Sequence, residues 1–149
     1  MIASKLVGRN GKVIAFEPDP RYAKFFRKNI QSNGCQNVTL VEKAVSNKNG
    51  KTILYCQGKI GANRIAEVNR RGDKTFEVET IRIDDFYRGK VNMIKIDIEG
   101  AEIMALEGMK ELLTQKPKMI IEESPELIEF LNKNGFKFSK IDDRNLVIS

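Results

Sequence analysis

The chain has 149 residues, 41% of them hydrophobic and 31% charged, which is the size and composition of one globular domain with one core. We therefore treat residues 1–149 as a single domain. No apolar run approaches the roughly 18 residues of a membrane span, and no basic region precedes a long apolar stretch at the N-terminus. We expect a cytoplasmic protein that does not enter a membrane.

The sequence contains no histidine and two cysteines, Cys35 and Cys56. Nucleophile systems that use histidine and imidazole metal ligands are thereby excluded, and no Cys-x-x-Cys spacing indicates zinc. We expect reduced cysteines and no bound metal. Proton chemistry must use carboxylates, lysine, tyrosine or water.

Positive charge is concentrated in the first half of the chain. Residues 1–75 carry 15 basic and 5 acidic side chains, whereas residues 76–149 carry 11 basic and 15 acidic ones. A basic half is compatible with nucleic acid or a phosphate-bearing substrate, but no aromatic-rich RNA motif or recognition helix accompanies it. We favour a solvated basic surface over nucleic-acid binding.

The first half of the chain alternates predicted strands with one clear helix. Residues 12–16 form an apolar run typical of an interior parallel strand, and Asp19-Pro20 then caps a helix that ends at Asn33-Gly34. Its apolar stripe comprises Tyr22, Phe25, Phe26, Asn29 and Ile30. Further strands are predicted at 37–45, at 51–55 and at 76–83, the last pairing with 52–55, and residues 57–74 are predicted to be a mobile excursion.

The second half repeats the alternation and ends differently. Strands are predicted at 91–98 and 118–121, with one helix running from Gly100 to Leu113 and another capped by Ser124-Pro125. Residues 136–141 and 146–149 flank a polar turn and predict an antiparallel hairpin.

Strands that alternate with helices imply an α/β protein with a mostly parallel sheet, whose ligands bind outside the carboxyl ends of the strands. Four segments rich in polar residues fall at those ends, and we expect them to lie along one rim of the sheet: Glu17, Lys43-Ala44, Asp97-Ile98-Glu99 and Glu122-Glu123. Asp97, Glu99 and Glu122 together could also bind a divalent metal, but no ligand-spacing motif supports it. The excursion residues Arg64, Arg70, Arg71 and Lys74 are candidates for holding an anionic acceptor, or for solvated loop charge.

Four segments carry a family resemblance: Phe16 to Pro20 (FEPDP), Asn37 to Ser46, Ile81 to Phe86 (IRIDDF) and, most specifically, Ile94 to Glu102 (IKIDIEGAE). Over essentially the whole chain, the sequence resembles the FkbM-type methyltransferases. The resemblance implies the Rossmann-like class I methyltransferase sheet with a C-terminal antiparallel hairpin. It also implies S-adenosylmethionine as cofactor and methyl transfer to a hydroxyl of a small molecule or glycan.

The resemblance assigns expected roles to particular residues. Glu17 would hold the ribose hydroxyls, with Pro18 beside it in the cofactor site, and Glu42, Lys43 and Ala44 would line the adenine. Asp97 and Glu99 would be the catalytic residues beside the methionyl end and the acceptor, with Asp97 preferred as the acid/base or orienting residue. Negative charge is also stabilised at any helix N-terminus, and that explanation suits Glu99 and Glu102 better than it suits Asp97.

One part of the family pattern is missing. Counting back about 20 residues from Glu17 places the glycine-rich turn, and the first strand before it, ahead of Met1. We therefore expect an N-terminally truncated fold with a gap in the centre of its sheet. The sheet would re-pair, a second chain would cover the edge, or the sequence would be a portion of a longer chain. Impaired S-adenosylmethionine binding and a homodimer are the corresponding expectations.

Two functional interpretations remain open. The first is a methyltransferase, impaired in this form. The alternative is a non-catalytic scaffold with a methyltransferase-like fold that forms oligomers or binds a partner.

Overall fold

The computed structural model describes residues 1–56, 63–65 and 74–148. The helices are α1 (Ile2–Leu6), α2 (Pro20–Ser32), α3 (Ile83–Phe86), α4 (Glu102–Glu107), α5 (Lys110–Leu113) and α6 (Pro125–Lys133). The strands are β1 (Val13–Phe16), β2 (Val38–Val41), β3 (Ala44–Val45), β4 (Gly50–Cys56), β5 (Asn63–Ile65), β6 (Lys74–Ile81), β7 (Met93–Ile96), β8 (Lys118–Glu122), β9 (Phe138–Lys140) and β10 (Asn145–Ile148).

The described strands form three sheets. Strands β1 and β2 make a parallel pair, with Val13 opposite Val38. A second sheet has the order β7-β8-β10-β9, in which β7 and β8 are parallel and β10 is antiparallel to both of its neighbours. The third has the order β3-β6-β4-β5 and is parallel only between β3 and β6. The α/β Rossmann-like class and the C-terminal hairpin are confirmed, with sheets that are mixed.

Strands β1 and β7 each have a hydrogen-bonded neighbour on one side only, within the described ranges. Among the described strands, no main-chain ladder joins β1 to β7, so the sheet has not re-paired across the expected gap. Side-chain packing connects β1 to the main core instead. The ring of Phe16 at the end of β1 meets the ring of Phe86 edge to face, with centroids 5.6 Å apart.

The main core lies between the β7-β8-β10-β9 sheet and helices α4, α5 and α6. Its most buried side chains are Leu106, Ile121, Leu127, Leu131 and Leu146, each at most 1% exposed. Burying an aliphatic side chain of this size contributes roughly 1.5–3 kcal/mol. A smaller cluster of Ala44, Leu54 and Val78 covers the β3-β6-β4-β5 sheet. Among the described residues, no helix is both long enough and apolar enough to cross a membrane.

Both predicted helix caps are confirmed. The Asp19 side chain accepts a hydrogen bond from the Arg21 N–H ahead of Pro20, and the Ser124 hydroxyl accepts one from the Leu127 N–H ahead of Pro125. The predicted pairing of 76–83 with 52–55 is also confirmed, since Thr52 lies opposite Val78.

Several boundaries differ from the sequence-based prediction. The single strand predicted at 37–45 is wrong, because β2 pairs with β1 whereas β3 pairs with β6 in another sheet. In α2 the buried position is Ala23, and Phe25 is 63% exposed. Residues 57–62 and 66–73 of the predicted excursion lie outside the described residues, but 63–65 form β5.

The helix predicted from Gly100 to Leu113 is broken into α4 and α5 for two physical reasons. The Asp84 carboxylate, which is buried, accepts hydrogen bonds of 3.0 Å from the N–H groups of both Glu111 and Leu112, and so caps α5 from a distant part of the chain. Gly108 lies between the two helices, where a Cβ would come within 2.0 Å of the Ser46 carbonyl oxygen. Only a residue without a side chain allows this contact.

Replacing Gly108 by alanine tests this close approach. The added Cβ would collide with the Ser46 carbonyl oxygen, and no side-chain rotation can separate these two atoms, so the main chain must shift. We expect Gly108→Ala to lower the free energy of unfolding by about 3 kcal/mol. Urea denaturation measures it, with the exposed Lys110→Ala in α5 as control. An alanine variant as stable as the wild type would contradict the predicted clash.

Candidate functional site

The carboxyl end of β1 places Glu17 beside a tightly held helix N-terminus. Asp19 is 0% exposed and forms an ion pair with Arg21 at 2.6 Å. The Arg21 guanidinium also lies over the Phe76 ring, 5.1 Å from its centroid. These contacts fix the chain on the C-terminal side of Glu17. The Asp19 cap therefore sets the position of Glu17 relative to α2.

Glu17 itself is half-buried and keeps part of its hydrogen-bonding capacity. Its Oε1 accepts a hydrogen bond of 2.9 Å from the Asp19 N–H, and no hydrogen bond to Oε2 is present among the described residues. Burial raises the pKa of the Glu17 carboxyl, and the neighbouring Asp19 charge raises it further, against the lowering effect of the Asp19 N–H. Oε2 therefore keeps its capacity to accept a hydrogen bond.

The segment predicted to line the adenine connects β2 to β3. Ala44 is buried, whereas Glu42 is exposed and forms an ion pair with Arg27 of α2. The Lys43 ammonium lies 2.6 Å from Glu79 of β6. The neighbouring Pro18, also predicted to bind the cofactor, is half-buried between Glu17 and the Asp19 cap.

Three carboxylates meet at the ends of β7 and β8. One oxygen from each of Asp97, Glu99 and Glu122 lies within 4.8 Å of the other two. Residues 97 and 99 follow β7, and Glu122 is the last residue of β8, which is parallel to β7 and adjacent to it. The rule that side chains at the ends of parallel strands converge is followed at this edge. We call these three residues the acidic cluster.

Two cations flank the acidic cluster. The Lys95 ammonium is 2.6 Å from Asp97, and the Arg144 guanidinium forms an ion pair with Glu122 from the turn between β9 and β10. The hydrogen bond from Lys95 lowers the pKa of Asp97. Burial and the negative charges of Glu122 and Asp97 instead raise the pKa of Glu99. The environment thus separates two neighbouring carboxyls, one held ionised and one protonated more readily, which is the pattern of acid and base pairs in active sites.

The loop between β7 and α4 is held by the buried carboxylate of Glu102. Its Oε1 accepts hydrogen bonds of 3.1 Å from the Ile98 N–H and 3.2 Å from the Gly100 N–H. Glu99 between them has a φ of 56°, a left-handed conformation that non-glycine residues adopt at a cost. Glu102 therefore has the structural role expected of a carboxylate at a helix N-terminus. Its hydrogen bonds fix the conformation of the loop that carries Asp97 and Glu99.

The acidic cluster has the oxygen ligands that Mg²⁺ or Ca²⁺ would use. Two of its three negative charges are already balanced by Lys95 and Arg144. Exposed carboxylates assemble in this way without a cation as well, and no further feature here indicates a metal.

The predicted site residues fall into two groups. Asp97 and Glu99 are brought together with Glu122, and Glu123 of the same strand end turns to an ion pair with Lys140. Glu17 ends a strand of a different sheet, and within the described contacts no hydrogen bond or ion pair joins it to the acidic cluster. The candidate anion-binding residues Arg70 and Arg71, and the side chains of Arg64 and Lys74, lie outside the described residues.

Sequence reasoning did not identify Arg144 as part of this site, and it assigned Glu102 only the general stabilisation of a carboxylate at a helix N-terminus. No local signal connects Arg144 to Glu122, because they are 22 positions apart and meet only through the register of β8 and β10. The Glu102 role had a signal, since a carboxylate in the first turn of a helix commonly bonds to nearby N–H groups. The pairing of Lys95 with Asp97 follows from their alternation on one strand face.

The chain has an α/β Rossmann-like fold with acidic side chains at the carboxyl ends of its parallel strands. Methyltransferases of the Rossmann-like class share this fold. Within that class, the chain belongs to the FkbM family, because the family described as "Methyltransferase FkbM domain" matches residues 1–141.

Individual relatives agree with this assignment. The 2-O-methyltransferase NoeI of Sinorhizobium fredii is 29% identical over 123 residues, which are 70% of this chain and 50% of that protein. The chain therefore spans half the length of this curated relative. The crystal structure of methyltransferase FkbM from Methylobacillus flagellatus has a TM-score of 0.62 at 19% identity, over 93% of this chain and 36% of that one. A precorrin-6y C5,15-methyltransferase from Geobacter metallireducens has a TM-score of 0.54 at 16% identity, over 95% of this chain and 67% of that one.

The separation of the two carboxyl pKa values depends on Lys95 and can be tested by removing it. In Lys95→Met, Asp97 loses its hydrogen bond and its nearest positive charge, so we expect the pKa of Asp97 to rise from its lowered position toward the ordinary value. Carbon-detected NMR titration of the carboxyl groups measures this change.

Lys133→Met, at the exposed end of α6, is the matched control and should leave the Asp97 titration unchanged. An unaltered Asp97 pKa in Lys95→Met would mean that the ion pair does not form in solution. Because the pKa of Asp97 is lowered in the folded state, its contribution to stability is present above the ordinary carboxyl range and is lost as the pH falls through the folded pKa.

Proposed function

We propose that this chain forms part of an S-adenosylmethionine-dependent O-methyltransferase that acts on a hydroxyl of a small molecule or glycan. The observation that carries the proposal is the acidic cluster at the ends of β7 and β8, in a chain of the FkbM methyltransferase family. The similarity to the 2-O-methyltransferase NoeI supports oxygen as the atom that is methylated.

The residues at the end of β1 fit the proposed cofactor. Glu17 has an oxygen that accepts no hydrogen bond from the described residues, in a half-buried position, which suits a pair of ribose hydroxyls. Lys43 and the buried Ala44 would line the adenine, with Pro18 and Glu42 beside them. S-adenosylmethionine supplies, when bound, a methyl group on a positively charged sulfonium.

The acidic cluster provides complementary roles at the reacting end. The ionised Asp97 favours a cationic group nearby, because its negative charge is maintained by Lys95. Glu99, whose pKa is raised, is the better acceptor of a hydroxyl proton, since a base works best when its pKa approaches the working pH. Both are therefore proposed as catalytic residues, with Asp97 the electrostatic and orienting group and Glu99 the base.

A scaffold function is favoured by a different observation. Ile2 and Leu6 of α1 are 77% and 81% exposed, Met93 on β7 is 58% exposed, and β1 and β7 each have one strand neighbour among the described residues. Apolar surface and strand edges of this kind pair with other chains. We infer from them the homodimer expected from the sequence. The single domain over 1–149 and the cytoplasmic location stay predictions.

Binding of S-adenosylmethionine by the 149-residue chain tests the proposal. We expect weak binding, with a dissociation constant of about 0.1 mM or above. Glu17 and Asp97 follow strands of two sheets that share no ladder hydrogen bonds in the described part of the chain, so one framework does not preorganise them. Glu17→Gln keeps the shape and removes the charge, and should weaken binding about tenfold. NMR titration into the millimolar range measures both affinities.

Glu129→Gln on the exposed face of α6 is the matched control and should bind like the wild type. Micromolar affinity for the wild type would contradict the expected weak binding. A wild-type chain that binds no S-adenosylmethionine at millimolar concentration, and is dimeric by light scattering, would contradict the proposed activity and support the scaffold.

A further inference from the structure

A cavity of about 410 Å³ adjoins the proposed cofactor site and shares Lys43 with it, but its other lining residues have no role in the proposed cofactor binding. Strand β6, helix α3 and the turn before β4 form its walls. The side chains that matter for its chemistry are Lys43, Asn49, Glu79, Ile81, Asp85 and Phe86. Its volume is within the range of small-molecule sites. It also uses the end of the IRIDDF segment, for which the proposed methyl transfer gives no role.

The carboxylate of Asp85 is held in place by its neighbours. Asn49 donates a hydrogen bond of 2.8 Å from Nδ2 to Asp85 and accepts one of 2.9 Å at Oδ1 from the Arg82 N–H. The Arg82 guanidinium is 3.4 Å from the same carboxylate. The Asn49 amide, whose own two polar groups are both hydrogen-bonded, thus orients Asp85. The Asp85 carboxylate still has lone pairs that these contacts do not use.

Lys43 and Glu79 form the second polar pair of the cavity. Their 2.6 Å ion pair uses Oε2 of Glu79 and one of the three N–H bonds of the ammonium. The hydrogen bond from Lys43 lowers the pKa of Glu79, so the carboxylate stays ionised. The pair can therefore accept hydrogen bonds at Oε1 and donate them from Lys43.

An aromatic surface completes the cavity. Phe86 is 40% exposed, and its edge-to-face contact with Phe16, with an interplanar angle of 75°, limits the orientation of its ring. Such a ring offers an apolar contact surface beside the polar groups. Ile81 adds aliphatic surface next to it.

The balance of charge indicates what kind of ligand fits. Lys43 compensates Glu79 and Arg82 compensates Asp85, so the cavity offers no surplus charge for an anion or a cation. It offers several acceptors, an ammonium donor and an apolar ring face. Hydroxyl groups both donate and accept hydrogen bonds, and a ring that carries several of them has apolar C–H faces as well.

We propose that this cavity binds a neutral, hydroxyl-rich ring of the saccharide type. Its position supports a role as an acceptor subsite, an assignment that rests on the proposed methyl transfer. Phe86 contacts Phe16, the residue before Glu17, and Lys43 adjoins Ala44. The saccharide binding itself does not depend on methyl transfer and can be measured without it.

The test is an NMR titration of the ¹⁵N-labelled chain with methyl β-D-glucopyranoside and methyl α-D-mannopyranoside. We expect saturable shifts at Gly50, Ile81 and Phe86, with dissociation constants of about 1–10 mM, as is usual for one small polar ring. Three control compounds should bind at least about fivefold more weakly. Glucose 6-phosphate adds a negative charge, glucosamine adds a positive charge, and cyclohexanol lacks the additional hydroxyls.

Two variants and a control locate the binding. Asp85→Asn keeps the shape of the side chain and removes its charge, and Phe86→Leu keeps an apolar side chain and removes the ring. Each should weaken glycoside binding about fivefold. Asp143→Asn, in the exposed turn before β10, should bind glycosides like the wild type. Spectra of the free variants verify that each remains folded, so a loss of binding is assigned to the cavity.

The inference would be overturned if neither glycoside shifts the cavity residues, or if both variants bind glycosides like the wild type. It would also be overturned if S-adenosylhomocysteine produces the larger shifts in the cavity, because the cavity would then be assigned to the nucleoside. Glycoside binding without any S-adenosylmethionine binding would support the cavity and contradict the proposed function. S-adenosylmethionine binding without glycoside binding would do the reverse.

Discussion

The site depends on one buried carboxylate. Glu102, 5% exposed at the start of α4, holds the N–H groups of Ile98 and Gly100 and so closes a short loop directly after β7. Hydrogen bonds from main-chain N–H groups to an ionised carboxylate are among the stronger ones in proteins. They stabilise the left-handed conformation of Glu99, and this loop presents Asp97 and Glu99 beside Glu122. The pairing of β7 with β8 brings the carboxylates to a common edge, and the Glu102 contacts fix the loop that carries Glu99.

In the proposed function, the arrangement of charge gives a chain without histidine a proton acceptor. The three carboxylates lie close together, Lys95 lowers the pKa of Asp97, and Arg144 forms an ion pair with Glu122. Glu99 has no cation of its own among the described ion pairs, and burial adds to the effect of its neighbours. One carboxyl of the three is thereby made more basic, which is the property required of a general base.

Local chemistry made much of the fold predictable. Asp19-Pro20 and Ser124-Pro125 have the capping residue and the first-turn proline that start helices, and both helices begin there. The breaks in the structure were not predictable in the same way. The end of α4 depends on Gly108 meeting Ser46 and on Asp84 capping α5, and these contacts join positions far apart in sequence. Hydrophobic periodicity carries no information about them.

The candidate site was also predictable only in part. Asp97, Glu99 and Glu122 could be predicted to meet, because the ends of adjacent parallel strands share an edge. The relation of Glu17 to them depends on the order of the strands between β1 and β7, and sequence spacing does not determine it. The Lys43–Glu79 pair likewise follows from the register of β3 on β6.

In the proposed function, the end of β1 and the loop after β7 face the same ligand. Titration of the ¹⁵N-labelled chain with S-adenosylhomocysteine, followed by amide chemical shifts, measures whether they do. We expect the amides of Glu17 and Asp19 to shift together with those of Ile98, Glu99 and Gly100, with one dissociation constant that fits all of them. Shifts confined to one of these two groups, or different dissociation constants for them, would contradict it.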